Sequence, residues 1–214
     1  MVTARPRTWV RRRSAVFAVL GLGLIAAAAI LVPMLRPPGP RPAFQLPVPC
    51  GEAWTLGTYP GHDDYDVDLF PTKGEAWGQP VLASASGTVT EAGINGTVGG
   101  RTPDNPDGPR GRGGGYWVKI DHGRRWTTLY LHLLEPPLVH EGQRVQPGDQ
   151  LGRVGSTGDS GAPHLHYEQH RGFEKVETYF NGAPSGITRD DREYSVSLRS
   201  NNCRAGASET DQRK

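Results

Sequence analysis

An all-β fold of the barrel or sandwich kind is predicted by three observations: short alternating apolar and polar runs, Gly and Pro punctuating them, and no long stretch of helical periodicity beyond residue 50. The runs fall at 65–70, 80–85, 87–92, 116–121, 127–133, 144–145, 150–155 and 164–170. Residues 94–115 (INGTVGGRTPDNPDGPRGRGGG) offer almost no apolar side chains to bury and are predicted to form a long surface loop.

Ahead of the strands lies a different kind of sequence. Residues 14–35 are an apolar run of about 22 residues, long enough at 1.5 Å per residue to cross a bilayer core. Arg5, Arg7, Arg11, Arg12 and Arg13 precede it, so segment 1–13 is predicted to be cytoplasmic and everything after residue 35 extracytoplasmic. The run is read as one transmembrane helix retained as a signal anchor in the cell membrane. Cleavage after the small residues Ala27 to Ala29, giving a secreted protein, is the alternative. Residues 36–49 (RPPGPRPAFQLPVP) are proline-rich and predicted to be a semi-rigid spacer, residues 50–203 the folded domain, and 204–214 a disordered polar tail.

Net charge is +2 over 214 residues, and the N-terminal arginines exceed that by themselves, so no nucleic-acid footprint is indicated. The two cysteines, Cys50 and Cys203, stand at the two edges of the folded region, and outside the cytoplasm such a pair is predicted to form a disulfide.

Of the seven histidines, His164 and His166 in PHLHYEQ are the most informative, because strand residues two apart share a face. Two imidazoles on one surface can hold a metal together, or one can bind it while the other meets substrate. His62 precedes a strand in which Asp68 stands between Val67 and Leu69, so its carboxylate points away from the core those neighbours enter. Strand parity puts His132 on a face with Thr128 and Tyr130, opposite Leu129, Leu131 and Leu133. His122 and His140 fall at turn positions and His170 at a strand end; all three are expected at the surface without a role.

The order of a His and an Asp, then LYLHL, then GSTGDSGAPHLHYE resembles the LytM/lysostaphin-type zinc endopeptidases that cleave peptidoglycan, and PVLASASGTVTEAG and EGQRVQPGDQLGRVGSTG strengthen the likeness. It runs from about Cys50 to Gly172. The resemblance implies a barrel-sandwich hybrid, or duplicated hybrid motif, with a central groove that carries one Zn2+ ion. It implies His62, Asp68 and His166 as the metal ligands and His132 and His164 as the catalytic histidines. Three ligands of this type leave a fourth position for water, as a catalytic zinc requires.

In the best-known members the aspartate stands four positions after the first histidine, which selects Asp66 here. Asp68 alone has the apolar-Asp-apolar setting, and extracellular relatives with a longer spacer resemble that arrangement. Asp68 is therefore taken as the ligand and Asp66 as a partner behind a ligating imidazole. Glu168 shares the phase of the histidines but is left out of the site, since the family gives the proton work to histidines. The implied activity is hydrolysis of peptidoglycan stem-peptide cross-links, with the 94–115 loop bordering the groove. A non-catalytic cell-wall-binding or hydrolase-activating protein of the same fold is the alternative.

Overall fold

The structure, a computed structural model, describes residues 39–188 and 193–204. The predicted cytoplasmic segment, the apolar span at 14–35 and the tail beyond Arg204 lie outside these residues. Among the described residues no helix is long and apolar enough to cross a membrane.

Thirteen strands make up the regular structure, and no helix occurs among the described residues. They are β1 (Ala53–Thr58), β2 (Val67–Pro71), β3 (Pro80–Leu82), β4 (Gly87–Thr97), β5 (Arg112–Asp121), β6 (Trp126–Leu133), β7 (Arg144–Val145), β8 (Gln150–Arg153), β9 (Leu165–Arg171), β10 (Glu174–Val176), β11 (Tyr179–Phe180), β12 (Ala183–Pro184) and β13 (Tyr194–Arg199). The main sheet has nine strands in the order β13-β1-β2-β9-β6-β5-β4-β7, with β10 also paired to β9. Two small sheets, β3-β8 and β11-β12, accompany it.

One face of the sheet packs the core. Trp54 and Leu56 of β1, Val67 and Leu69 of β2, Val118 and Ile120 of β5, Tyr130 of β6, and Leu165 and Tyr167 of β9 are fully buried in one cluster. The two tyrosines bury their rings against each other and still satisfy their hydroxyls, both of which meet the Ser84 hydroxyl at 2.8 and 2.9 Å.

Three features depart from expectation. The proline-rich stretch, from Gly39 on, is part of the folded body: Phe44, Leu46 and Val48 are buried, and Gln45 and Leu82 exchange backbone bonds with Ser84 and Pro47. Its alternating Phe-x-Leu-x-Val side chains bury like a strand even though its prolines preclude a ladder. The 94–115 stretch is also shorter as a loop than its composition suggests, because β4 runs to Thr97 and β5 starts at Arg112. Backbone pairing extends the ribbon without apolar side chains, and glycine permits the close approach: a Cβ on Gly96 would lie 2.0 Å from the Arg112 carbonyl oxygen. Finally, β1 and β13, unforeseen, close one edge of the sheet, where the predicted disulfide joins Cys50 to Cys203.

Candidate metal centre

Alternation along β9 sends His166, Glu168 and His170 to the face opposite Leu165 and Tyr167. Antiparallel register sets Asp68 of β2 directly across from His166, while Val67 and Leu69 on either side enter the core. Two residues almost a hundred positions apart are thereby brought together by strand pairing. His62, from the turn ahead of β2, turns Nδ1 to the Thr58 hydroxyl at 3.2 Å and stacks on Tyr59 with ring centroids 4.7 Å apart, which leaves Nε2 facing the other two.

His132 reaches the same place by a route that parity excludes. Tyr130 pairs with Tyr167 and Leu131 with His166, so Thr128 and Tyr130 face the core and Leu131 faces the site, the reverse of the predicted assignment. A bulge in the β5–β6 pairing, with His132 at φ 63°, shifts the phase by one residue. His132 therefore joins the site and Leu133 returns to the core.

The arrangement has two layers. His62 Nε2, Asp68 Oδ1 and His166 Nδ1 lie 3.0–3.4 Å from one another. Ligands about 2.0–2.1 Å from a tetrahedral zinc stand roughly 3.3 Å apart, so these nitrogen and carboxylate donors fit such an ion in both type and spacing. Beside them, His132 Nδ1 donates to the Thr157 carbonyl at 2.7 Å and His164 Nδ1 to the Ala162 carbonyl at 2.8 Å. The Nε2 of His164 lies 3.2 Å from Asp68 Oδ1. His132, His164 and His166 also form a group able to hold a metal.

Electrostatics favour a cation here. Burial opposes ionisation of Asp68, but hydrogen bonds from His164 and His166 outweigh it and hold the carboxyl below the usual carboxylate range. Burial likewise opposes charge on His166, and Asp66, Asp68 and Glu168 outweigh it, raising the imidazole well above its ordinary value. His132 is lowered to about 3, by burial first and then by His164 and His166, and so stays neutral.

Asp66 Oδ2 lies 3.5 Å from His166 Nε2, behind the ring, whereas Asp68 meets Nδ1. Glu168, set aside at first, accepts from the same Nε2 at 3.2 Å. Its strand phase was the available signal. Lys175, 2.7 Å from Asp66 Oδ2, had none, because the hairpin that brings β10 beside β9 is short. His170 pairs with Glu168 and is half-buried. His140 is exposed, as expected, but His122 is not a free surface residue: it bonds the Ser86 carbonyl and the Thr128 hydroxyl and packs edge-on to Phe44.

Comparison with known proteins places these residues in a family. Similar curated proteins include an uncharacterized metalloprotease of Haemophilus influenzae, 35% identical over 54% of this chain and 22% of its own length. The peptidoglycan DD-endopeptidase ShyA of Vibrio cholerae is 48% identical over 25% of this chain and 12% of its own. The DD-carboxypeptidase/endopeptidase Mpg of Neisseria meningitidis is 39% identical over 42% and 17%. The chain thus spans less than a quarter of each. Among solved structures, the lysostaphin catalytic domain of Staphylococcus simulans aligns with a TM-score of 0.41 and 32% identity, covering 56% of this chain and 79% of that one. The profile of peptidase family M23 matches residues 67–178, which takes in β2 through β10 and every clustered residue named above except His62, Asp66 and the turn before them. With more than half of its sequence matched in this way, the chain belongs to peptidase family M23.

Proposed function

We propose that the domain is a zinc-dependent endopeptidase that hydrolyses peptide cross-links of bacterial peptidoglycan outside the cytoplasmic membrane. The observation that carries the proposal is the convergence of His62 Nε2, Asp68 Oδ1 and His166 Nδ1 at 3.0–3.4 Å, with two further imidazoles alongside. The names of the relatives ShyA, a peptidoglycan DD-endopeptidase, and Mpg, a DD-carboxypeptidase/endopeptidase, support the substrate class. The disulfide and the apolar N-terminal run agree with an extracytoplasmic, membrane-anchored location.

His62, Asp68 and His166 would hold the ion. The chemistry zinc supplies when bound is Lewis acidity, which brings the pKa of water toward about 7 and polarises a carbonyl oxygen. Proton handling falls to His132 and His164. With Nδ1–H committed to a backbone carbonyl, one of the two rings would use Nε2 to take a proton from the attacking water. The imidazolium so formed stabilises the tetrahedral oxyanion and returns the proton to the leaving amine. Digestion of defined muropeptides with and without a chelator tests the proposal. New amino termini, seen by mass, are expected only without chelator; intact muropeptides from zinc-loaded protein would instead indicate a wall-binding or activating role.

A further inference from the structure

The far side of His166 carries a second group of charges that the proposed reaction does not use. Glu168 Oε1 lies 3.2 Å from His166 Nε2, and its other oxygen takes His170 Nε2 at 2.5 Å. Lys175 Nζ is 2.7 Å from Asp66 Oδ2, 3.1 Å from Asp63 Oδ2 and 3.8 Å from Glu168 Oε1. The topology explains the meeting. β2 pairs with β9 up to Val67–Tyr167, and β10 takes over the same edge from Val176–Gln169. Lys175, opposite His170, reaches back across that seam to the carboxylates of Asp63 and Asp66. Asp66 is 4% exposed and its Oδ1 has no partner, so the lysine is the counter-charge that makes its burial tolerable.

We propose that Glu168 and Lys175 are positioning residues for the metal ligand His166. Glu168 accepts the Nε2–H, which fixes the tautomer whose lone pair is on Nδ1 and sets the ring's angle toward His62 and Asp68. Lys175 holds Asp66 and Glu168 against the back of that ring. Neither belongs to the proposed ligand set, and the inference rests on the zinc-site reading above.

The test titrates metal-free protein with zinc alone against a chromophoric chelator, comparing wild type with Glu168→Leu, Glu168→Gln and Lys175→Met, each checked for folding by near-ultraviolet circular dichroism. Loss of a partner behind a ligating imidazole costs about 10–100-fold in metal affinity, and that weakening is expected for Glu168→Leu and Lys175→Met. Glu168→Gln keeps an acceptor oxygen in place and is expected to recover most of the affinity. Wild-type affinity in both Glu168→Leu and Lys175→Met overturns the inference, as does a glutamine variant no better than the leucine one. Should Glu168→Leu fail to fold, Lys175→Met decides, since its side chain is partly exposed. A wild type that binds no zinc removes the metal centre itself, a different failure.

Discussion

His132 and His164 each commit one ring nitrogen to a backbone carbonyl, and this local fact separates them from the three inward-facing donors. General acid-base catalysis is typically worth 100–10,000-fold, so His132→Ala and His164→Ala are expected to slow muropeptide cleavage by about that factor. A rate that barely changes in either variant would remove that histidine from the proton path. His122 supports a prediction about stability. Burial is the main cause holding its imidazole below the ordinary value, partly offset by the Ser86 carbonyl and Asp121. A group whose folded pKa is depressed below its unfolded value of about 6.5 contributes stability that is complete above that pH and lost as pH falls toward the folded value. The drop in melting temperature between pH 7.5 and 5.5 is therefore expected to be smaller in His122→Asn than in wild type; an equal drop would mean that His122 does not titrate on unfolding.

At the scale of elements, the ribbon β4–β5 and the 156–162 loop brace each other close to His132 and His164. Gly111 and Asp159 donate to the Gly158 and Gly113 carbonyls, and Thr157, which accepts from His132, is itself held by Leu133 and Tyr116. Gly115 sits where the two elements touch, at φ 65°, and a Cβ there would lie 2.4 Å from Thr157. Gly115→Ala is expected to cost about 1–3 kcal/mol from backbone strain, with further loss from the overlap, and to slow catalysis by displacing Thr157. Thermal melts and cleavage rates check this, and a variant indistinguishable from wild type in both would contradict the bracing. These elements also show what the sequence discloses. β2 and β9 were legible because Val67, Leu69, Leu165 and Tyr167 alternate with the site residues. The bulge at His132 was not, since nothing in TTLYLHL signals a positive φ at a non-glycine residue. Nor was the reach of β4 and β5, whose outer halves are held by backbone pairing and glycine rather than by apolar side chains.

Across the whole molecule, the five histidine and aspartate positions implied by the family resemblance lie side by side, while the charges behind His166 became visible only when β2 and β10 met along β9. The disulfide acts at this scale too, fastening the segment before β1 to the one after β13 across a sequence separation of 153. Its reduction is expected to cost up to roughly 4–5 kcal/mol and to lower the melting temperature by on the order of 10 °C. Unchanged melting in reductant, with thiols shown to be free, would contradict that. The central claim is that His62, Asp68 and His166 hold one ion that His132 and His164 do not. Zinc content per chain, measured by mass spectrometry after dialysis for the wild type and for the alanine variant at each of the five positions, tests it most directly. One zinc is expected in wild type, His132→Ala and His164→Ala, and none in His62→Ala, Asp68→Ala and His166→Ala. Zinc retained without Asp68, or lost with His164, would contradict the account.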